Sequence, residues 1–253
     1  MKKSNRRFTR SLIKELKHYV YLYSHPKTGE IFYIGQGEGN RVFAHLEEKS
    51  ESEKSRYIQN LRSQGLEPKI EILIHGLNTK YDALRVESSV IDLIGINKLT
   101  NKQSGYKSES FGRMSLKQIS SKYHKQEIKI TEPSVLIRIS KAFRYTMSDI
   151  ELYDYTRGQW KINPARAKKA RYGFAIYEGI VQEVYEIISW YNGGQTFNVR
   201  KSSNNTYPEE KIRNRYEFIG HLAPSQIRDK YKFKSVEQYF KKGNVNPILY
   251  VNI

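Results

Sequence analysis

"FYIGQGEGN", residues 32–40, is the stretch on which the reading of this chain turns. A strand-like run from Ile31 to Ile34 passes into glycines at 35, 37 and 39, and then into "NRVFAHL", a helix pattern opened by Asn40. Three roles compete: a phosphate-cradling loop, a structural turn, or the corner of an active site. A dinucleotide fingerprint needs G-x-G-x-x-G and a P-loop needs G-x-x-x-x-G-K-[ST], and this spacing satisfies neither. The glycines then serve the backbone, letting it turn sharply and lie close to something else.

On the N-terminal side, "YVYLY" (19–23) and "IFYI" (31–34) are aromatic and β-branched and flank the turn-forming "SHPKTGE", which predicts a β-hairpin. Alternation puts Tyr19, Tyr21 and Tyr23 on one face and Val20 and Leu22 on the other. Downstream, the pattern predicts helices over 40–49 and 51–64, the second stopped by Gly65. A strand follows over 69–75, and then a helix from a Thr79/Asp82 capping box to Gly95. The order is ββααβα.

Lys and Arg number 44 against 26 Asp and Glu, a formal net charge of +18, which favours a polyanionic partner, nucleic acid first. The excess divides equally about residue 133, nine on each side. With no cysteine there is neither a disulfide framework nor a thiolate zinc site, and the six histidines show no paired ligand spacing. No apolar run approaches the roughly 20 residues of a membrane span and no signal peptide opens the chain, so the expectation is a soluble, cytoplasmic protein without a membrane partner. The composition leaves the oligomeric state open.

Two further features could carry chemistry. Arg41 and His45, four apart, share a face of the first helix, as an exposed basic stripe or as substrate contacts. Glu87 lies in the middle of the apolar face made by Ala83, Leu84, Val90, Ile91 and Ile94, where an unpaired carboxylate would cost several kcal/mol or more. A structural salt bridge would satisfy it. So would a hard divalent ion held by one carboxylate, waters and phosphate oxygens.

Tyr19-Val20-Tyr21, Tyr33-Ile34-Gly35, Arg41-x-x-x-His45, Glu87 and Asn101 resemble, in order, the successive motifs of the GIY-YIG nucleases. "FYIGQGEGNRVFAHL" with "VIDLIGINKLTNKQSG" is most similar to the subgroup found in LEM/ankyrin-repeat nuclear proteins. The first motif departs, with Tyr19-Val20 where the family has Gly-Ile. The resemblance implies an α/β (α+β) fold, a compact nuclease domain with a small central antiparallel sheet flanked by helices. It also implies a metal-dependent endonuclease that hydrolyses phosphodiester bonds in DNA, RNA being left open, with Mg²⁺ or Mn²⁺ as cofactor. Tyr21 is then the general base or proton relay, with Tyr33 beside it. Arg41 would neutralise the scissile phosphate, His45 assist proton transfer, Glu87 hold the metal and Asn101 position backbone or substrate. Gly35, Gln36 and Gly37 would lie near the nucleic-acid backbone.

Residues 1–17 read as a basic tail, 18–112 as the nuclease-like domain, 113–133 as a connecting region and 134–253 as a mostly β domain. In the last, "YGFAIY", Glu178-Gly179 and "IVQEVYEII" predict two strands about a two-residue turn, and "ILYVNI" a closing strand. The domain loosely resembles the PUA-like barrels of the EVE and ASCH groups. That resemblance implies recognition of a modified base, with Trp160 and Trp190 as stacking platforms or simply core. Target selection by this domain, as in restriction or modification-dependent cleavage, is the role implied; the alternative is a non-cutting nucleic-acid-binding protein on a nuclease-like fold.

Overall fold

The computed structural model describes residues 7–48, 50–102, 105–140, 142–199, 212–240, 243 and 245–253. It divides into two compact units, Met1–Arg113 and Met114–Ile253.

In the first unit β1 (His18–Ser24), β2 (Ile31–Glu38) and β3 (Lys69–Leu77) form an antiparallel sheet of order β2-β1-β3. Helices α1 (Arg10–Leu16), α2 (Arg41–Glu47), α3 (Glu53–Ser63), α4 (Lys80–Ile94) and α5 (Ser108–Phe111) surround it. Alternation along β1 builds two cores, one on each face. Tyr19, Tyr21 and Tyr23 pack against Val42 and Leu46 of α2 and Ile58 and Leu61 of α3. On the other face Val20 and Ile34 pack against Ala83 and Ile91 of α4. Thr79 caps α4, its hydroxyl accepting from Asp82 N and donating to the Asp82 carboxylate at 2.7 Å, and the helix stops at Gly95, whose φ of 94° a side chain would resist.

The predicted glycine turn is mostly strand. β2 runs on through Gly35 and Gly37, which pair with Tyr21 and Tyr19. A Cβ at Gly35 would lie 2.6 Å from the Tyr21 hydroxyl oxygen and 2.7 Å from its Cζ; at Gly37 it would lie 3.2 Å from the Tyr19 ring and from Arg41 Cβ. Those two glycines make room for the tyrosine rings, and Gly39, with φ of 56°, makes the turn into α2.

The basic N-terminal stretch differs from a free tail. Residues 1–6 lie outside the described residues, but Thr9 caps α1, and Phe8 packs on Tyr19 and Phe43 while donating from its backbone N to Asn40 Oδ1 at 2.7 Å. Asn40 therefore holds the N-terminal segment instead of capping α2 with its side chain.

The second unit is built on a curled sheet of strand order β5-β8-β7-β6-β4-β9. Its strands are β4 (Ser134–Arg138), β5 (Gly158–Trp160), β6 (Tyr172–Tyr177), β7 (Ile180–Asn192), β8 (Tyr216–Leu222) and β9 (Ile248–Val251), all antiparallel neighbours except the parallel pair β4 and β6. Helices α6 (Leu116–Tyr123), α7 (Asp149–Arg157), α8 (Pro164–Ala167) and α9 (Ser225–Tyr231) accompany it. Every residue of β6 is buried: Tyr172, Phe174 and Ile176 enter one core, Ala175 and Tyr177 the other. The predicted hairpin turn is present, with positive φ at both Glu178 and Gly179, the twist that suits a two-residue connection. The stretch 113–133, polar enough to read as a connecting region, carries α6 and sends Ile130 into this unit's core.

Gly35→Ala is expected to lower the melting transition of the first unit, by about 1–3 kcal/mol in stability, because the added carbon meets Tyr21 and Tyr33 rings that are themselves packed. Calorimetry of the full chain checks this; an unchanged first transition would contradict the packing argument.

Candidate active site

Strand β2 is an edge strand, so alternate backbone groups face away from β1 and need partners. Phe32 O accepts from Thr100 N at 2.7 Å and from its hydroxyl at 2.9 Å. Ile34 exchanges both its bonds with one side chain: its N donates to Asn101 Oδ1 at 3.2 Å, and Asn101 Nδ2 donates to its O at 2.7 Å. Gln36 N donates to Glu87 Oε1 at 3.2 Å. One strand edge thus fixes Asn101 and Glu87 in register, two residues apart.

The opposite, tyrosine-bearing face brings Tyr21, Tyr33 and His45 together. Tyr21 OH lies 2.6 Å from His45 Nδ1, and the ring centroids of Tyr21 and Tyr33 are 6.2 Å apart. Tyr19 donates to Gly39 O at 2.8 Å and Tyr23 donates to Val42 O, so these two hydroxyls hold α2 against the sheet. Arg41, at the start of α2, is exposed and makes no ion pair with a described side chain.

Burial sets the protonation states. The Tyr21 phenol is pushed well above its ordinary value by burial and by neighbouring Tyr33 and Tyr23, while Tyr33 is pushed up to about 12 by burial and the Glu87 carboxylate. His45 is pushed down to about 4, by burial first and then by the charges of Lys54 and Arg41. Both partners in the Tyr21–His45 bond are therefore uncharged at neutral pH. The phenol donates in the tautomer that leaves Nδ1 unprotonated, the imidazole N–H then being on Nε2. Glu87 is pushed up to about 7 by burial, with the Gln36 N–H and Arg41 pulling the other way. Its carboxyl group is poised between charged and neutral and would gain from a cation beside it.

Lys54 escaped the sequence reading. It is buried on α3, its ammonium 2.9 Å from Glu48 Oε2 and 5.0 Å from the centre of the Tyr33 ring. The signal was legible: a lysine in register with Ile58 and Leu61 on the apolar stripe of an amphipathic helix.

The remaining expected residues lie elsewhere. Gly35 and Gly37 present their open sides to tyrosine rings. Trp160 and Trp190, in the second unit, spend their indole N–H groups on the carbonyls of Thr156 (2.7 Å) and Ala167 (3.1 Å) and pack at the edge of that unit's core.

The site's donor set bears on a metal. Among the described residues no three His, Cys, Asp or Glu side chains cluster as a ligand group. One half-buried carboxylate with a raised pKa fits a hard ion whose other ligands are waters and substrate oxygens, and does not fit an all-protein cage.

Residues 28–129 match the family model of the LEM-3-like GIY-YIG domain. This match supports the GIY-YIG family for that segment, and such a domain suggests a nuclease acting on nucleic acid. It begins after β1, so Tyr21 precedes it, while Tyr33, Arg41, His45, Glu87 and Asn101 fall inside. No curated protein and no solved structure matches the chain. No helix among the described residues is long and apolar enough to cross a membrane.

The buried imidazole has a stability consequence. With a folded value near 4 and an unfolded value near 6.5, His45 leaves the folded chain with fewer protons than the unfolded chain between those limits. Its contribution is intact above pH 6.5 and is lost as pH falls towards 4, by about 2 kcal/mol after allowance for solvent screening. Metal-free His45→Gln is expected to lose less stability over that interval, measured by urea unfolding at stepped pH; parallel curves would contradict the assignment.

Proposed function

We propose that the first unit is a metal-dependent endonuclease that hydrolyses phosphodiester bonds in DNA by attack of water, and that the second unit selects the target. The observation that carries this reading is the Tyr21–His45 hydrogen bond, facing Arg41, on the same strand pair that holds Glu87.

In this reading Tyr21 is a relay. Its phenolic oxygen accepts the proton of the attacking water as its own proton passes to His45 Nδ1. The uncharged imidazole is the final acceptor, and no free phenolate is required. Lys54, over the Tyr33 ring, and Arg41 oppose the build-up of negative charge among these phenols and at the phosphate. Arg41, being exposed and without an ion pair to a described side chain, contacts the scissile phosphate as a charge-assisted donor. Glu87 would hold Mg²⁺ or Mn²⁺, and Asn101 positions the β2 edge beside it. When bound, the metal supplies charge against the phosphate oxygens and acidity to water.

In the second unit a cationic run, with Lys161, Arg166, Lys168 and Lys169, supplies affinity for phosphates without sequence preference. The reading of this unit as a PUA-like recognition domain, and of Trp160 and Trp190 as base platforms, competes with their role in core packing and is decided by substrate specificity. Restriction or modification-dependent cleavage is the role that such selection would serve.

Purified protein incubated with plasmid DNA, modified phage DNA and RNA, with and without Mg²⁺ or Mn²⁺, is expected to cut DNA only with metal. Glu87→Gln should abolish cutting while DNA binding, measured by anisotropy, persists. Tyr21→Phe and His45→Ala should each slow cutting by about 10²-fold or more, and Tyr19→Phe by far less, since each of the first pair breaks the relay. Wild-type binding without any cutting would make this a non-cutting nucleic-acid-binding protein; equal effects at Tyr19 and Tyr21 would mean that the relay is assigned to the wrong tyrosine.

A further inference from the structure

Helix α4 carries a second stripe that the candidate active site does not use. Arg85 and Glu87, two residues apart, lie on nearly opposite sides of the helix at 3.6 residues per turn. The side away from Glu87 receives residues 105–113, and that docking is tight. Ser108 Oγ donates to the buried Asp92 carboxylate at 2.7 Å, and Arg113 N donates to it at 3.3 Å. A Cβ at Gly105 would fall 2.1 Å from Ser88 Cα, and one at Gly112 would fall 2.4 Å from Asp92 Oδ2. Between these anchors Lys107 adopts a left-handed φ of 51° without being glycine. Strain of this kind persists where the surrounding structure over-determines it.

The result is a shallow, solvent-open groove. Its walls include Tyr81, Arg85, Tyr106, Lys107 and Phe111, and no acidic side chain lines it among the described residues. Tyr81 and Tyr106 meet edge to face with centroids 5.7 Å apart. Arg85 lies 5.9 Å from the Tyr81 ring and Lys107 5.4 Å from the Tyr106 ring. The rings stay exposed, at 42% for Tyr81, 41% for Tyr106 and 63% for Phe111, which a soluble surface does not need. Neither cation makes an ion pair with a described side chain.

We propose that this groove binds an unstacked nucleotide of a nucleic-acid strand, its base against the Tyr106 and Phe111 rings and its phosphates on Arg85 and Lys107. Exposed aromatic faces interleaved with free cations are the chemistry of single-strand binding, since every base has a face to stack and every nucleotide a phosphate. The site is separate from the Tyr21–His45 relay and from Glu87, and gives the protein a preference for substrates with an unpaired segment. The proposal rests on nucleic acid being the substrate.

The test uses the full chain in metal-free buffer, so that nothing is cut. A fluorescent single-stranded 12-mer carrying 5-iodo-deoxyuridine and a blunt duplex of the same sequence are the probes. Tyr106→Ala and the double variant Arg85→Ala/Lys107→Ala are each expected to weaken single-strand binding by about 10-fold, the scale of one lost base stack, while duplex binding changes little. Tyr106→Phe, which keeps the ring, should bind as the wild type. Irradiation should place the cross-link on Tyr81, Tyr106 or Phe111. Competing dAMP should displace the strand only at far higher concentration; equal potency would make the ligand a free nucleotide and overturn the assignment. Unchanged single-strand affinity in both variants, or cross-links wholly outside the groove, would overturn it while plasmid cleavage by the wild type still supported the nuclease reading. A wild type that never cuts but loses strand binding in the variants would remove the nuclease reading and keep the groove. Failure of the wild type to bind either probe would remove both.

Discussion

The outer edge of β2 is the constraint on which the first unit depends. An edge strand leaves alternate N–H and C=O groups without a ladder, and these must find partners or remain in water. Here Phe32, Ile34 and Gln36 are met in turn by Thr100, by the Asn101 amide and by Glu87. The amide imitates a neighbouring strand, offering one acceptor and one donor to the same residue. Because the strand period is two residues, the same edge that is protected from pairing with another chain also sets the spacing of the candidate site's carboxylate and amide.

On the sheet face behind that edge, four tyrosines are packed where most proteins place aliphatic side chains. Their hydroxyls cannot be left unpaired in such a place. Tyr19 and Tyr23 spend theirs on the backbone around α2, which fixes the helix that carries Arg41 and His45. Tyr21 is left with an imidazole as partner, and burial keeps both groups uncharged. The glycines at 35 and 37 are the steric counterpart of these rings: the strand gives up two side chains so that two phenols can reach across. Lys54 brings a buried charge to the same region and is held by Glu48.

The second unit invests its buried charge differently. Arg157 pairs with Asp154 at 2.6 Å and reaches Thr196 and the Phe197 carbonyl, while Thr196 donates to Glu217 at 2.8 Å and Val199 N donates to Asp154 at 2.6 Å. A buried pair of this kind is costly to break, by about 3–5 kcal/mol when one partner is removed. It ties residues 196–199 to α7 and β8, so the loop following β7 begins from a fixed point. Trp160 and Trp190 belong to the same kind of scaffolding through their bonds to Thr156 and Ala167.

Much of this was fixed by local pattern. The alternation of Tyr19 to Tyr23, the Thr79/Asp82 cap, the stops at Gly65 and Gly95 and the Glu178-Gly179 turn are each determined by neighbours within a few residues, and sequence alone specifies them. The placement of Glu87 amid apolar residues is also periodic and readable, as is that of Lys54 on the apolar stripe of α3. Long-range partners are another matter. That Gly35 and Gly37 continue a strand, that Asn40 turns from its helix to Phe8, and that Ile130 joins the core of the second unit depend on groups far away in sequence. The same holds for the protonation of Tyr21 and His45, because burial and neighbouring charge, not residue type, set it. Local conformational preference is written in the order of the residues; desolvation and partner choice exist only once distant segments have displaced water from one another.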